Sequence, residues 1–188
     1  MLTSSRTTAA ASLFILAAAA IVCWRTDMGA AAANNDRQSV SSSEARLWVV
    51  RLHPGDDLVD SLMEFADKHS IHAGAIVTCV GSLNRARLRY ANQNKYENLD
   101  TKGQHFEIVS LVGTLSTTER HLHLAIANEQ GMVFGGHASS GNKVFTTAEI
   151  VIVEGVDWMF RREKDPDTTY FELSPVQNTR PDRAGPRR

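Results

Sequence analysis

Two histidines one residue apart are the part of this sequence that could most directly do chemistry. His121 and His123 open the segment HLHLAIANEQGMVFGGH, which ends at His137. In a β-strand, residues two apart point to the same face, about 7 Å apart along the chain. Two imidazoles at that spacing can converge on one metal ion, with each nitrogen about 2.0–2.1 Å from it. The pattern predicts a divalent metal site, with zinc as the expected ion.

Whether His137 is the third ligand depends on the hairpin that carries it. A three-residue loop at Glu129-Gln130-Gly131, with Gly131 in the left-handed conformation, is a favoured hairpin geometry. It would place His123 directly opposite His137, so that all three histidines share a face. A loop of two or four residues would put His137 on the other face. The alternative role for these histidines is a polar core or a subunit contact.

Two glycines stand immediately before His137. Gly135 and Gly136 fit a place where the backbone must approach another group closely. We therefore take both as candidate ligand-binding positions.

Glu149 is the candidate catalytic residue. Along Val144–Val153 it alternates onto the face that also carries Phe145, Thr147 and Val151. A carboxylate among apolar neighbours needs a partner or a shifted pKa. Near the histidines, Glu149 would serve as a general base. The alternative is an ion pair with an arginine at a subunit interface.

A third candidate set is basic. Arg85, Arg87 and Arg89 alternate with Ala86 and Leu88, which predicts a basic stripe on one strand face. Arg85 and Arg87 are the candidates for binding a cofactor, a phosphate, an acidic ligand or nucleic acid. The alternative is the solvated face of an antiparallel strand.

The two ends of the chain differ from its middle. Residues 1–33 carry Arg6, an apolar run and then small residues, which is the layout of a signal peptide or a signal anchor. This predicts a secreted protein or one in the secretory pathway, with a membrane-anchored or organellar protein as alternatives. Residues 34–45 are polar and predict a linker, and residues 175–188, rich in proline and arginine, predict a disordered tail.

Between these ends, residues 46–174 have the pattern of one α+β domain. Leu58, Leu62, Phe65 and Ala66 form one apolar helical face in a segment that runs from a cap at Asp56 or Asp57 to about His69. Short apolar or alternating segments, several of them separated by glycines, predict a mainly antiparallel sheet. The segments are Leu47–Leu52, Ala75–Val80, Arg85–Ala91, Phe106–Leu115, His121–Ala127, Met132–Gly136, Val144–Val153 and Val156–Arg162.

The order of these segments resembles the PPC (plants and prokaryotes conserved) domain. The residues that carry the resemblance are RLHPGDDLVDSLMEFADKHSI, AIVTCVGSLNRARLRYA, FEIVSLVGTLS, HLHLAIANEQGMVFGGH and TTAEIVIVEG. The resemblance covers the whole expected domain, and it implies a compact fold that assembles as a homotrimer.

Plant members of that family join the domain to an AT-hook with an Arg-Gly-Arg-Pro core. This sequence has no such core, and its nearest segment, Arg180-Pro181-Asp182-Arg183, lacks the glycine. The chain resembles the stand-alone prokaryotic type, which keeps the histidines. With a formal net charge of -1, no global positive field favours nucleic acid.

The expected partners are other copies of the chain and a small-molecule ligand. Nucleic acid is not expected, and a membrane is expected only through an uncleaved N-terminal segment. The expected function is a trimeric domain that binds a metal ion or small ligand through the histidines. The alternatives are a metal-dependent enzyme and a DNA-associated regulator.

Overall fold

The computed structural model describes residues 42–99 and 103–177. The predicted signal peptide or anchor, most of the predicted linker and residues 178–188 of the predicted tail lie outside the described residues. Among the helices of the described ranges, none is both long enough and apolar enough to span a lipid bilayer.

The described part of the chain contains one helix and nine strands. In chain order they are β1 (Ala45–Leu52), α1 (Leu58–Lys68), β2 (Gly74–Arg89), β3 (Glu97–Leu99), β4 (Phe106–Leu115), β5 (Arg120–Ala127), β6 (Val133–Ala138), β7 (Lys143–Gly155), β8 (Trp158–Lys164) and β9 (Phe171–Gln177). The named strand pairs are antiparallel. The prediction of an α+β domain with a mainly antiparallel sheet and one principal helix is confirmed.

Strand β2 organises the main sheet because it pairs with several others. The strands are ordered β1-β7-β2-β4-β5-β6, and β3 also pairs with β2. The start of β2 pairs with β4, whereas its end pairs with β6, where Arg89 lies opposite His137. This second pairing closes β2, β4, β5 and β6 into a ring of strands. It also fixes the strand that carries His137.

The sequence predicted two strands, Ala75–Val80 and Arg85–Ala91, where the structure has the single strand β2. The prediction of a break was wrong because Gly81 produces an irregularity within a continuous strand. Gly81 has φ +144°, and the register with β7 shifts between Gly81 and Leu83. A β-carbon at Gly81 would collide with the carbonyl oxygen of Thr147. The glycine therefore lets β2 continue while changing its course.

Helix α1 covers one face of the sheet. The side chain of Asp57 accepts hydrogen bonds from the backbone N–H groups of Val59 and Asp60, each at 3.2 Å, which caps the helix. The predicted apolar face is buried, apart from a partly buried Phe65 that packs edge-on against Trp48. The core that the helix shares with the sheet includes Leu58, Leu62, Ala66, Leu83, Leu111, Leu122, Leu124, Ile126, Ile150 and Ile152.

The opposite face of the sheet exposes apolar side chains. Val49 on β1 is 76% exposed, and strands β2 and β4 contribute Val80 and Val112, at 54% and 50%. These residues alternate with buried ones along their strands, so they point away from the helix. Leu47, Val77 and Val109 are exposed in the same way. We call these six residues the outer apolar face.

Strands β8 and β9 form a separate two-stranded sheet. Strand β9 ends at Gln177, so residues 175–177 are ordered rather than part of a disordered tail as predicted. The proline at position 175 was one reason for predicting that the tail is disordered. A proline cannot donate a hydrogen bond to a ladder, but it is tolerated in a strand at a sheet edge, and here it lies opposite Phe160.

Candidate metal site

The hairpin of β5 and β6 has the register that a three-residue loop requires. The N–H of Asn128 donates to the carbonyl of Met132 at 3.0 Å, and Gly131 has φ +76°. The side chain of Asn128 also accepts from the N–H groups of Gln130 and Met132. Above this loop His123 lies directly opposite His137. The predicted register is confirmed.

The register brings the three histidine rings together. The Nε2 atoms of His121 and His123 are 3.2 Å apart, and one nitrogen from each of the three rings lies within 4.8 Å of the others. Two nitrogens bound tetrahedrally to one zinc ion would be about 3.3 Å apart, given bonds of about 2.0–2.1 Å. The first pair already has that spacing. With one nitrogen from each ring within 4.8 Å of the others, the three side chains could hold one metal ion.

Gly113 allows strand β4 to lie close to strand β5 at the position of His121 and His123. Its φ is +138°, and a β-carbon there would collide with the carbonyl oxygen of His121. Gly113 pairs with Leu122, between the two predicted metal ligands of β5. The close contact of the two strands at this point therefore depends on a residue without a side chain.

The surroundings of the histidines disfavour their protonated forms. Burial, together with the nearby His121, Arg89, His123 and Arg120, lowers the pKa of His137 to about 4. Burial and then Arg162 lower the pKa of His121 as well, against an opposing effect of Glu172. A metal ion binds neutral imidazole. The site therefore holds both rings in the form that a metal needs.

We expect metal-free protein to lose stability as the pH falls from about 6.5 to about 4. An unfolded histidine takes up a proton near pH 6.5, whereas folded His137 does so only near 4. The unfolded state thus binds more protons in this window, which lowers the free energy of unfolding. Thermal melting in a chelator should show a shallower decline for His137→Gln than for the wild type or for the exposed control His53→Gln. Identical slopes in all three proteins would contradict this expectation.

Two cavities open beside the histidines and share three residues, His121, Arg162 and Glu172. The smaller cavity, about 300 Å³, reaches His123 and the β4 residues Val112, Gly113 and Thr114. The larger cavity, about 710 Å³, reaches His137. Its other lining residues are Arg89, Asn92, Gln93, Asn94, Arg120, Tyr170 and Phe171. A metal held by the histidines would face space for a ligand.

The β8–β9 hairpin supplies residues of this site that the sequence did not reveal. Arg162 on β8 and Glu172 on β9 line both cavities. The Arg162 guanidinium donates to the carbonyl of Phe171 at 2.9 Å, which ties the two strands together. Because these residues lie far from the histidines in sequence, only the fold shows their proximity.

Of the predicted basic stripe, the structure brings Arg89 to the histidines, not the candidates Arg85 and Arg87. Arg85 is exposed and lines neither cavity. Arg87 stacks 4.9 Å above the ring of Tyr96 and donates to the carbonyl of Ser140 at 3.1 Å, so it holds the chain's own loops. Arg89 follows two residues later on the same face and lines the larger cavity.

The candidate glycines have different surroundings. A β-carbon at Gly136 would lie 2.6 Å from the carbonyl oxygen of Arg89, so the backbone that Gly136 approaches is β2 of the same chain. This close packing against β2 explains why position 136 is a glycine, and no ligand is needed to explain it. Gly135 is exposed, and a β-carbon there would make ordinary contacts no shorter than 3.5 Å. Neither glycine lines the two cavities.

Glu149 lies apart from the histidines within the chain. It is exposed on β7, with Arg51 and Val80 as its cross-strand neighbours. Strands β2 and β4 separate β7 from β5, and three strand spacings correspond to about 14 Å. The geometry does not support Glu149 as a general base at its own chain's histidines. The basic residue opposite it suits the ion-pair alternative.

Comparison with known proteins identifies relatives of this chain. It is 40% identical over 150 residues to the bifunctional protein GlmU of Synechococcus sp. (strain JA-3-3Ab), in a match that covers 80% of this chain and 23% of that protein. It is also 28% identical over 122 residues to AT-hook motif nuclear-localized protein 14 of Arabidopsis thaliana, covering 62% of this chain and 28% of that one. The chain thus spans less than a third of the length of these relatives.

Solved structures have the same fold. A Salmonella enterica protein superposes with a TM-score of 0.71 at 37% identity, covering 74% of this chain and 99% of that one. The metal-containing protein of Archaeoglobus fulgidus superposes with a TM-score of 0.61 at 28% identity, covering 73% and 99%. The plant- and prokaryote-conserved protein of Pyrococcus horikoshii gives 0.57 at 26%, covering 71% and 96%.

The family assignment follows from the sequence match together with these structures. Residues 39–156, more than half of the chain, match the Plants and Prokaryotes Conserved (PCC) domain. This is the family, abbreviated PPC above, that the order of the sequence segments resembles. The chain belongs to the plants and prokaryotes conserved domain family.

Proposed function

We propose that the protein is a homotrimeric metal-binding domain in which His121, His123 and His137 hold one divalent cation, with zinc as the expected ion. The observation that carries this proposal is the cluster of three imidazole nitrogens within 4.8 Å of one another. The metal-containing relative from Archaeoglobus fulgidus is consistent with it.

The state of the His137 ring also supports the proposal. Its Nδ1 atom is buried and makes no hydrogen bond within the described part of the chain. A buried polar atom without a partner costs about 1–3 kcal/mol, so such atoms call for an explanation. A metal ion bound through this ring, or a ligand beside it, would provide one.

Three protein ligands leave at least one coordination position for a water or a ligand. This is the arrangement of zinc sites that bind or activate small molecules, whereas purely structural zinc sites use four protein ligands. Bound there, the metal would supply Lewis acidity to a ligand oxygen. Among the described residues that line both cavities, Glu172 is the carboxylate able to exchange a proton with such a ligand.

Elemental analysis of the purified full chain tests the metal proposal directly. We expect about one equivalent of a divalent metal per chain, retained through dialysis against buffer without chelator. Added zinc should refill the site after treatment with a chelator. A chain that carries no metal as purified, and binds neither zinc nor cobalt when each is added, would refute the proposal.

The outer apolar face supports the trimer. We expect light scattering to give three times the mass of one chain, because a second copy would remove exposed side chains such as Val49 from water. Val49→Lys should lower the mass at micromolar concentration, since it places a charge in the contact. The control Glu64→Gln makes the same change in charge on an exposed position of the helix and should leave the mass unchanged. A monodisperse monomer in the wild type would contradict the trimer.

A further inference from the structure

We propose that the larger cavity binds a small organic anion whose carboxylate or phosphate group lies between the arginines, beside the metal. This inference rests on the proposed metal site and adds a class of ligand to it.

The charges around the cavity are unbalanced. Among the described residues that line it, Arg89, Arg120 and Arg162 are cationic and Glu172 is the carboxylate. A divalent metal on neutral histidines would add two further positive charges. Positive charges this close together disfavour one another unless an anion lies among them. The cavity as built lacks enough acidic groups to supply that anion.

Guanidinium groups suit this role because of their shape. Each presents five N–H donors in a planar fork that matches the oxygens of a carboxylate or a phosphate. Arg162 uses a donor on the carbonyl of Phe171 at 2.9 Å, and Arg89 uses one on the carbonyl of Gln93 at 3.4 Å. Such bonds fix the orientation of each group and still leave donors for a ligand. Two of the three cations are thus held in place before a ligand arrives.

A glutamine side-chain amide whose oxygen has no hydrogen-bond partner also supports the proposed anion site. Gln93 lines the cavity, and its Oε1 atom is buried and has no hydrogen-bond partner among the described residues. His137 also lines this cavity, and its Nδ1 atom is likewise buried and without a hydrogen-bond partner among the described residues. The oxygen and nitrogen of a glutamine amide can exchange places by a turn of the group. With the amide turned over, Gln93 would donate an N–H to the anion.

The cavity's size and remaining walls indicate a small organic molecule. Its volume of about 710 Å³ falls within the range of about 300–1,000 Å³ that is usual for small-molecule sites. Tyr170 and Phe171 contribute aromatic rings beside the arginines, and these rings would contact the carbon skeleton of the ligand. A phosphate-bearing metabolite and a carboxylic acid would both satisfy this chemistry.

The test uses the full chain loaded with cobalt, whose visible spectrum first reports that the metal is bound by the histidines. Calorimetry then measures the binding of malonate, of inorganic phosphate and of malonamide, the neutral counterpart of malonate. We expect malonate or phosphate to bind and malonamide not to. The tighter of the two anions shows whether carboxylate or phosphate is preferred.

A pair of neighbouring arginines supplies the matched variants. Arg162→Gln should weaken anion binding at least tenfold. Arg161→Gln removes the same charge from the adjacent, exposed position of β8, which lines neither cavity, and should have less than a twofold effect. The cobalt spectrum should persist in both variants, because neither residue is a metal ligand.

The outcomes separate the two proposals. Failure of cobalt to bind would overturn the metal site and this inference together. Normal cobalt binding without any heat from malonate or phosphate would overturn the anion site alone. Equal weakening in Arg161→Gln and Arg162→Gln would also overturn it, since the effect would then reflect overall charge rather than this cavity.

Discussion

Replacing His123 by alanine should remove most of the bound metal and leave the fold intact. His123 contributes the Nε2 atom that lies 3.2 Å from that of His121, so its loss breaks the pair that already has the spacing of metal ligands. Changes to residues that merely orient metal ligands cost about 10–100-fold in affinity. Loss of a metal-binding side chain itself should therefore lower the affinity for the metal at least about 100-fold. His123 is exposed, so little packing is lost.

The measurement is zinc content after equilibrium dialysis, together with thermal melting. His53→Ala is the control, because it removes an exposed imidazole that is not part of the cluster. It should retain the zinc of the wild type. If His123→Ala instead unfolds the protein, and the wild type binds no metal, the histidines have a structural role.

Replacing Gly113 by alanine should have the largest effect on stability. Its φ of +138° is accessible mainly to glycine, and the added β-carbon would collide with the carbonyl of His121. Backbone strain of this kind costs about 1–3 kcal/mol. The collision with the neighbouring strand adds to that cost. Against a total stability of about 5–15 kcal/mol, we expect a loss of more than about 3 kcal/mol.

Gly131→Ala is the matched control for Gly113→Ala. Gly131 also has a positive φ, +76°, but a β-carbon there would meet nothing within 4 Å. Strain without a collision should cost only about 1–2 kcal/mol. Denaturant unfolding of the metal-free proteins measures both losses. Equal losses would show that the contact between Gly113 and His121 is not what limits substitution.

The sequence predicted the histidine cluster because short-range rules determine it. The spacing of His121 and His123 places them on one face of any strand, and the position of Gly131 selects a loop that aligns His137 with His123. Both inferences depend on segments within 17 residues of one another, from 121 to 137. The α+β class followed in the same way from local periodicity.

The rest of the site could not be predicted, because it depends on the order of strands in the sheet. The side of β2 on which β7 lies determines that Glu149 is three strand spacings from β5, the strand of His121 and His123. The second pairing of β2, with β6, selects Arg89 instead of Arg85 or Arg87 as the neighbour of His137. A bulge at Gly81 and a proline within β9 imitate chain breaks. The strand order has no local signal in the sequence, and the local signals of Gly81 and Pro175 are misleading.

The β8–β9 hairpin places some of the cavity-lining residues on a part of the fold separate from the histidines, which could matter for the protein's evolution. The three histidines lie within residues 39–156, which match the family, whereas Arg162 and Glu172 lie beyond that match. The hairpin forms its own two-stranded sheet rather than a part of the main one. Substitutions in it can therefore alter what the cavity accepts without disturbing the strands that carry the histidines. Related chains could in this way vary the residues beside the histidine cluster while keeping the cluster itself.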